Sequence, residues 1–244
     1  MLKNGSFTGG WSNCPPTPNS LINQQPNHWQ LRWIEPGESL FGAGDKAGGV
    51  PECVHKLSGQ LPPDEQLGGS HALILEGDTT YKIFHSGSPF GAELKQTVTG
   101  LTPGATATLT VPVLAVLYNE TDPFGAESGV WVNGAGGWVN GEQMGNRRWF
   151  RHVIPFTVPG DGTAEVIIRV KSKWPRPKDF FIDGVTLTQE TGPVLGPPDS
   201  TPKPIDRVRV QVPAGLQVVV TTCHTAGFVV VSVPEGVDTE IVQS

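Results

Sequence analysis

Two short segments bracket most of this chain and limit what it can fold into. Near the start stands Leu2-Lys3-Asn4-Gly5-Ser6-Phe7-Thr8-Gly9-Gly10-Trp11, and far downstream Phe180-Phe181-Ile182-Asp183-Gly184-Val185-Thr186-Leu187. Short alternating segments and turn residues lie between them, and all seven tryptophans fall within these limits. A first and a last strand enclosing a β-rich body is the pattern of a closed sandwich. Asp183 interrupts the last strand between Phe181 and Val185, which are expected to face inward. A carboxylate there needs a polar or ionic receiver.

The body supports an all-β reading. Thirty-one Gly and 23 Pro suit strands joined by turns. Strand signals run through 72–75, 79–85, 93–99, 105–118, 147–158, 164–171 and 180–188, at the turn-bounded spacing of a sandwich or barrel. The stretch from Val111 to Leu117 is wholly apolar, as expected of a central strand, and Pro112 within it marks a bulge or an edge. Helical periodicity is absent apart from a turn near Pro62–Gln66. Residues 12–71 are less regular and carry Trp29, Trp33, Glu35, Glu38, Glu52, Asp64 and Glu65. Insertions of this kind usually carry function.

Several motifs recur in a recognisable order: Asn4-Gly5-Ser6-Phe7, Pro26-Asn27-His28-Trp29, Gly77-Asp78 leading to Phe84, Leu94-x-Gln96-x-Val98-x-x-Leu101-x-Pro103-Gly104, Phe156-Thr157-Val158, and the closing hydrophobic-Asp-x-Val-x-Leu. Together they resemble the jelly-roll carbohydrate-binding modules, galactose-binding-like β-sandwiches of the type joined to bacterial glycoside hydrolases. The resemblance covers residues 2–189. It implies a jelly-roll β-sandwich, non-catalytic glycan or cell-surface binding, and core positions for Trp11 and Trp29. It also bears on metal. Thr8 stands where that family usually carries a Glu that joins the last-strand Asp in binding a structural calcium ion. Asp183 with backbone carbonyls around Asn4 to Thr8 would form such a site, short of one hard anionic ligand. The other reading is an Asp that accepts backbone N–H bonds.

The domain plan is a sandwich over residues 1–189, a linker at 190–204 and a small β appendage at 205–244. The linker holds five prolines in fifteen residues and is semi-rigid. The appendage alternates through Val208–Val212, with further apolar runs at Leu216–Val220 and Phe228–Val233. It is too small to build its own core. It is expected to join other copies, most simply as a trimer, to dock on a larger particle, or to pack on its own sandwich.

Only 16% of residues are charged and the net charge is −6, which argues against nucleic acid and against anionic membrane as partners. No apolar run reaches the roughly 18 residues of a membrane-spanning helix. The first residues show no signal peptide. The chain therefore reads as processed, or as released by lysis in the manner of a virion component, and an extracellular or virion-surface setting is expected. Cys14, Cys53 and Cys223 are odd in number: one bridge, Cys14–Cys53, or three free thiols.

No nucleophile elbow, zinc motif or phosphate loop is present, so no enzyme is expected. The carboxylates Glu35, Glu38, Glu52, Asp64 and Glu65 read as a solvated loop rather than a hydrolytic pair. The tryptophans point to sugars, whose C–H faces stack on indole while carboxylates, amides and Arg bind hydroxyls. In Arg147–Phe156 the alternation puts Arg147, Trp149 and Arg151 on one face. Trp149 there either holds a sugar or acidic glycan or is covered by a loop. Trp138, in a Gly/Asn-rich loop, and Trp174, between Lys173 and Pro175, are platforms or plugs. The candidate ligand residues are Trp33, Glu35, Trp138, Arg147, Trp149, Arg151 and Trp174. A second function class uses the same sandwich as a structural, decoration or adhesion protein of a virion or surface layer.

Overall fold

The computed structural model describes residues 1–19, 21–42 and 44–189, together with the backbone of Val219–Cys223 and Phe228–Ser232. The chain divides into two compact units, Met1–Gly192 and Pro193–Ser244. In the first unit the strands are β1 (Trp11–Asn13), β2 (Gln24–Pro26), β3 (Gln30–Trp33), β4 (Glu52–Leu57), β5 (Thr79–His85), β6 (Phe90–Val98), β7 (Thr106–Val116), β8 (Ala126–Val132) and β9 (Ala135–Asn140). One helical turn, α1 (Gly141–Met144), precedes β10 (Trp149–Thr157), β11 (Ala164–Ser172), β12 (Lys178–Ile182) and β13 (Thr186–Gln189).

Two antiparallel sheets form a jelly-roll β-sandwich. One is six-stranded, in the order β10-β7-β12-β5-β4 with β13 also on β7, and the other is five-stranded, in the order β3-β6-β11-β8-β9. Period-two patterning drives this arrangement. On β7, Ala107, Leu109, Val111, Val113 and Ala115 face the shared core, where they meet Val166, Ile168 and Val170 of β11 and Phe90, Ala92 and Leu94 of β6. Phe7, Trp29 and Tyr81 close one end, with Phe7 stacked on both neighbours. Trp29 is 2% exposed, and its indole N–H donates to Asn4 O at 3.1 Å. It is a core residue, as expected.

Several details depart from the sequence reading. Residues 72–75 form no strand; they lie in a loop whose Leu73 and Ile74 are buried. Trp138 is not in a loop but on the edge strand β9. Trp11 is not in the core. It is 38% exposed and stacks on His55 at 4.4 Å. The closing strand breaks at Asp183-Gly184, where Gly184 takes φ 65°, which splits it into β12 and β13. These two pair with different parts of β7, residues 113–116 and 107–110. Pro112 falls in the gap between them, where the ladder on that side is already open.

Cys14 and Cys53 are free thiols, so the bridge is not formed. Burial raises the Cys53 thiol far above its usual range. In the second unit β14 (Val219–Cys223) pairs antiparallel with β15 (Phe228–Ser232). The Pro-rich linker and the strand expected at 208–212 lie outside the described residues.

Candidate functional site

The outer face of the six-stranded sheet carries a hollow of about 270 Å³. Its floor follows from register. Phe181 pairs with Leu114 on one side and Lys82 on the other, and Asp179 pairs with Val116 and Phe84. Because Tyr81, Ile83, Phe180 and Ile182 fill the core, their neighbours Lys82, Asp179 and Phe181 point outward. Gln60, Leu61, Glu65 and Leu73, from the segment between β4 and β5, form one wall, and Tyr118 and Arg147 form the other.

Asp179 organises the polar part. It receives the Lys82 ammonium at 3.0 Å and the Tyr118 hydroxyl at 2.9 Å. Lys82 also lies 4.0 Å above the Phe84 ring, a cation–π contact. Burial, and then the neighbouring Asp179, push the Tyr118 phenol up to about 12, so it stays protonated and donates. Arg147 pairs with Glu65 at 2.5 Å. Tyr118 (φ 48°), Asn119 (φ 61°) and Arg147 (φ 53°) all hold left-handed backbone. Such conformations cost energy and gather at functional sites. The Tyr118 side chain is nonetheless 48% exposed, which leaves its ring open to a ligand.

The sequence candidates do not converge on one place. Arg147 lines the hollow. Trp149 lies behind it and packs with Leu73, Leu114 and Phe181, its N–H given to Ala72 O at 2.9 Å. It is the covered residue of the two alternatives and not a platform. Arg151 is exposed two residues further along, opposite Pro112. Trp33 pairs with Ala92, packs against the core, and donates to Glu35 Oε1 at 2.9 Å. Trp174 donates to Asp122 Oδ2 at 2.7 Å, with Lys173 4.9 Å over its ring. Trp138 faces outward from the other sheet. Tyr118, Lys82, Asp179 and Gln60 were not among the candidates. The available signal was Lys82 and Asp179 as charges inside strands of otherwise apolar, buried character.

Asp183 is fully buried. Its Oδ2 accepts the N–H groups of Leu75 at 2.6 Å and Glu76 at 3.0 Å, and its Oδ1 that of Gly184 at 2.7 Å. Burial lifts its carboxyl to about 6, against the pull of these N–H groups. Asn4 Oδ1 is taken by Gly9 N–H at 2.7 Å, and the Thr8 hydroxyl is shared with Ser6 at 2.9 Å. Among the described residues no group of three or more His, Cys, Asp or Glu is placed to hold a metal. Calcium takes about six to eight oxygen ligands, and this donor set does not fit it. The expected result is a melting temperature unmoved by EDTA or by added calcium; a rise with calcium that EDTA reverses would restore the metal.

No protein-family model matches the chain, and no curated protein matches it. Solved structures that it is similar to include TmCBM61 in complex with β-1,4-galactotriose, with 18% identity, TM-score 0.46, and coverage of 78% of this chain and 97% of that one. The enzymatically active domain of tailspike protein 4 of bacteriophage CBA120 matches at 13% identity and TM-score 0.41, over 67% of this chain and 19% of that one. The C-terminal family 22 carbohydrate-binding module of Clostridium thermocellum Xyn10B matches at 13% identity and TM-score 0.36, over 78% and 97%.

Proposed function

We propose that this chain is a non-catalytic glycan-binding module and that the Tyr118 hollow takes a short run of sugar units. The observation that carries the reading is Tyr118 itself: an exposed ring on a left-handed backbone, its hydroxyl fixed by Asp179. A pyranose presents an apolar C–H face to such a ring and hydroxyls to its surroundings. Lys82, Asp179, Arg147, Glu65 and Gln60 supply donors and acceptors around it. Most of these are held by one another before any ligand arrives, which lowers the ordering cost of binding. The two carboxylates of the hollow each hold a cation, which suits recognition rather than hydrolysis.

Replacing Tyr118 by Ala is expected to weaken retention in affinity electrophoresis on the best polysaccharide of a panel by about tenfold, the equivalent of about 1.4 kcal/mol. An exposed side chain contributes little to stability, so the melt should stay close to that of the parent. Undiminished retention by Tyr118→Ala would remove the hollow from the reading.

The setting that fits this activity is an extracellular or virion surface, with adhesion as the purpose. In that setting the C-terminal unit is the assembly element expected from its sequence, through other copies or a larger particle. Light scattering of the full chain reads the oligomeric part of that proposal.

A further inference from the structure

Charge is uneven inside the Tyr118 hollow. Three cations line it, Lys56, Lys82 and Arg147, against two carboxylates, Glu65 and Asp179. Lys82 meets Asp179, and Arg147 meets Glu65. Lys56 meets no carboxylate among the described residues. It sits on β4, where Cys53 and His55 are buried, and alternation turns Lys56 to the opposite face. Across the strand pair it stands beside Thr80, two positions from the pairing of Val54 with Lys82. The Lys56 ammonium is thus a surplus cation in a hollow of about 270 Å³, on a chain whose net charge is −6.

The hydrogen-bond polarity leans the same way. Leu57 N–H donates to Gln60 Oε1 at 3.1 Å. A backbone N–H can only donate, so the amide oxygen of Gln60 is taken and its NH2 group is left without an acceptor among the described residues. Asp179 Oδ2 accepts both the Lys82 ammonium and the Tyr118 hydroxyl. Glu65 Oε1 accepts Arg147. Donors are therefore in surplus together with positive charge. A neutral sugar covering Lys56 would strip water from an ammonium and return no counter-charge. An acidic sugar supplies the missing acceptor through a charge-assisted hydrogen bond. Nothing is lost at the ring. A uronic acid carries a carboxylate in place of a hydroxymethyl group and keeps the apolar C–H face that meets Tyr118.

We propose that the hollow selects an acidic glycan, one whose sugar unit bears a single carboxylate or sulfate, and that Lys56 receives the anion. The inference rests on the reading of the hollow as a glycan site. Tyr118 provides the contact that any pyranose can use, and Lys56 provides the choice between charged and neutral units. Lys56 is half-buried, so salt screens its attraction, yet less than it screens a fully exposed pair.

The test is titration calorimetry of the full chain as parent, Lys56→Met and Tyr118→Ala. The ligands are matched pairs: oligogalacturonate with its methyl ester, and a sulfated galactan oligosaccharide with its desulfated form. Neutral xylan, glucan and mannan oligosaccharides complete the panel. The expected result is that the parent binds an acidic form about tenfold tighter than its uncharged partner, a preference that shrinks as salt is raised. Lys56→Met keeps the apolar stem. It should remove the preference and leave affinity for the uncharged partner unchanged, a split that a loss of fold does not produce. Preference within the galacturonate pair assigns the anion to a uronate, and preference within the sulfated pair alone assigns it to a sulfate; either supports the inference. Equal affinity within both pairs, or a preference that survives in full in Lys56→Met, overturns it. So does binding confined to a neutral oligosaccharide. In each of these cases the hollow stands as a glycan site if Tyr118→Ala weakens what binding there is. Binding that Tyr118→Ala leaves unchanged overturns the hollow and the inference together, as does a parent that binds no member of the panel.

Discussion

Lys178→Met is expected to destabilise the sandwich by about 3–5 kcal/mol, the cost of leaving one partner of a buried ion pair alone. The Lys178 ammonium lies 3.0 Å from Glu120 Oε2, and the two side chains are 0% and 4% exposed. Lys178 opens β12 at the end where the apolar pattern would otherwise continue inward. Glu120 is tied further, its Oε1 accepting the N–H groups of Thr121 at 3.0 Å and Asp122 at 3.1 Å. Burial works against its charge, yet the Asp122 N–H and Lys178 hold its carboxyl below the usual range. Without Lys178, the carboxylate keeps its N–H donors but loses the only cation beside it among the described residues. Glu120→Gln should destabilise by a comparable amount for the converse reason. The double variant should be less destabilised than the sum of the two, because no uncompensated charge remains. Denaturant melts of the three variants measure this, and a loss under about 1 kcal/mol for Lys178→Met would mean that the pair behaves as a surface bridge. The pair also matters for the site. Glu120 N–H bonds to Leu117 O, closing the turn that carries Tyr118, so a loosened pair should weaken glycan binding as well as the fold.

The strands that were legible in sequence are those whose alternation is one-sided. β11 reads Ala164, Val166, Ile168, Val170 inward and Glu165, Arg169, Lys171 outward, and the structure keeps that division. β9 was missed because Gly136 and Gly137 carry little strand signal; pairing with β8 makes it a strand. The break at Asp183-Gly184 shows a different limit. The carboxylate looked like a metal ligand because its receivers, the N–H groups of Leu75 and Glu76, lie more than a hundred positions away in the chain. The candidate site was less legible for the same reason. Trp149 looks like a platform in its own strand, and only the segment between β4 and β5 folding over it makes it a covered residue. The hollow exists because β12 lies between β5 and β7, which brings Asp179 to Lys82 and Tyr118. Alternation tells which way a side chain points, but not which distant strand lies beside it.

Acidification from pH 6.5 to 4 is expected to remove a net few kcal/mol of stability, through two buried histidines opposed by one buried aspartate. His55 on β4 and His152 on β10 are both buried, and burial lowers each to about 4. His152 shares a hydrogen bond with the Ser128 hydroxyl at 2.8 Å. His55 lies between Trp11 and Tyr81, and its buried Nε2 has no partner, so a proton there would be stranded. The folded values lie below the unfolded one of about 6.5. Above pH 6.5 both states are neutral and nothing changes. As pH falls, the unfolded chain takes up protons that the folded chain refuses, and stability drops until about pH 4 by at most roughly 2–3 kcal/mol per histidine. His85 is lowered too, by burial with Glu52 opposing, and adds in the same direction. Asp183 has the opposite sign. Its folded carboxyl, raised to about 6, binds a proton before the unfolded one does, which returns at most roughly 2–3 kcal/mol across the same window. Two losses against one gain leave a net loss. His152→Gln should therefore flatten the fall measured by urea melts between pH 6.5 and 4, and Asp183→Asn should steepen it, each relative to its own stability at pH 7. A parent whose stability rises as pH drops through this window would show that Asp183 outweighs both histidines. The buried imidazoles would then have to be protonated in the fold, contrary to the geometry around His55 Nε2.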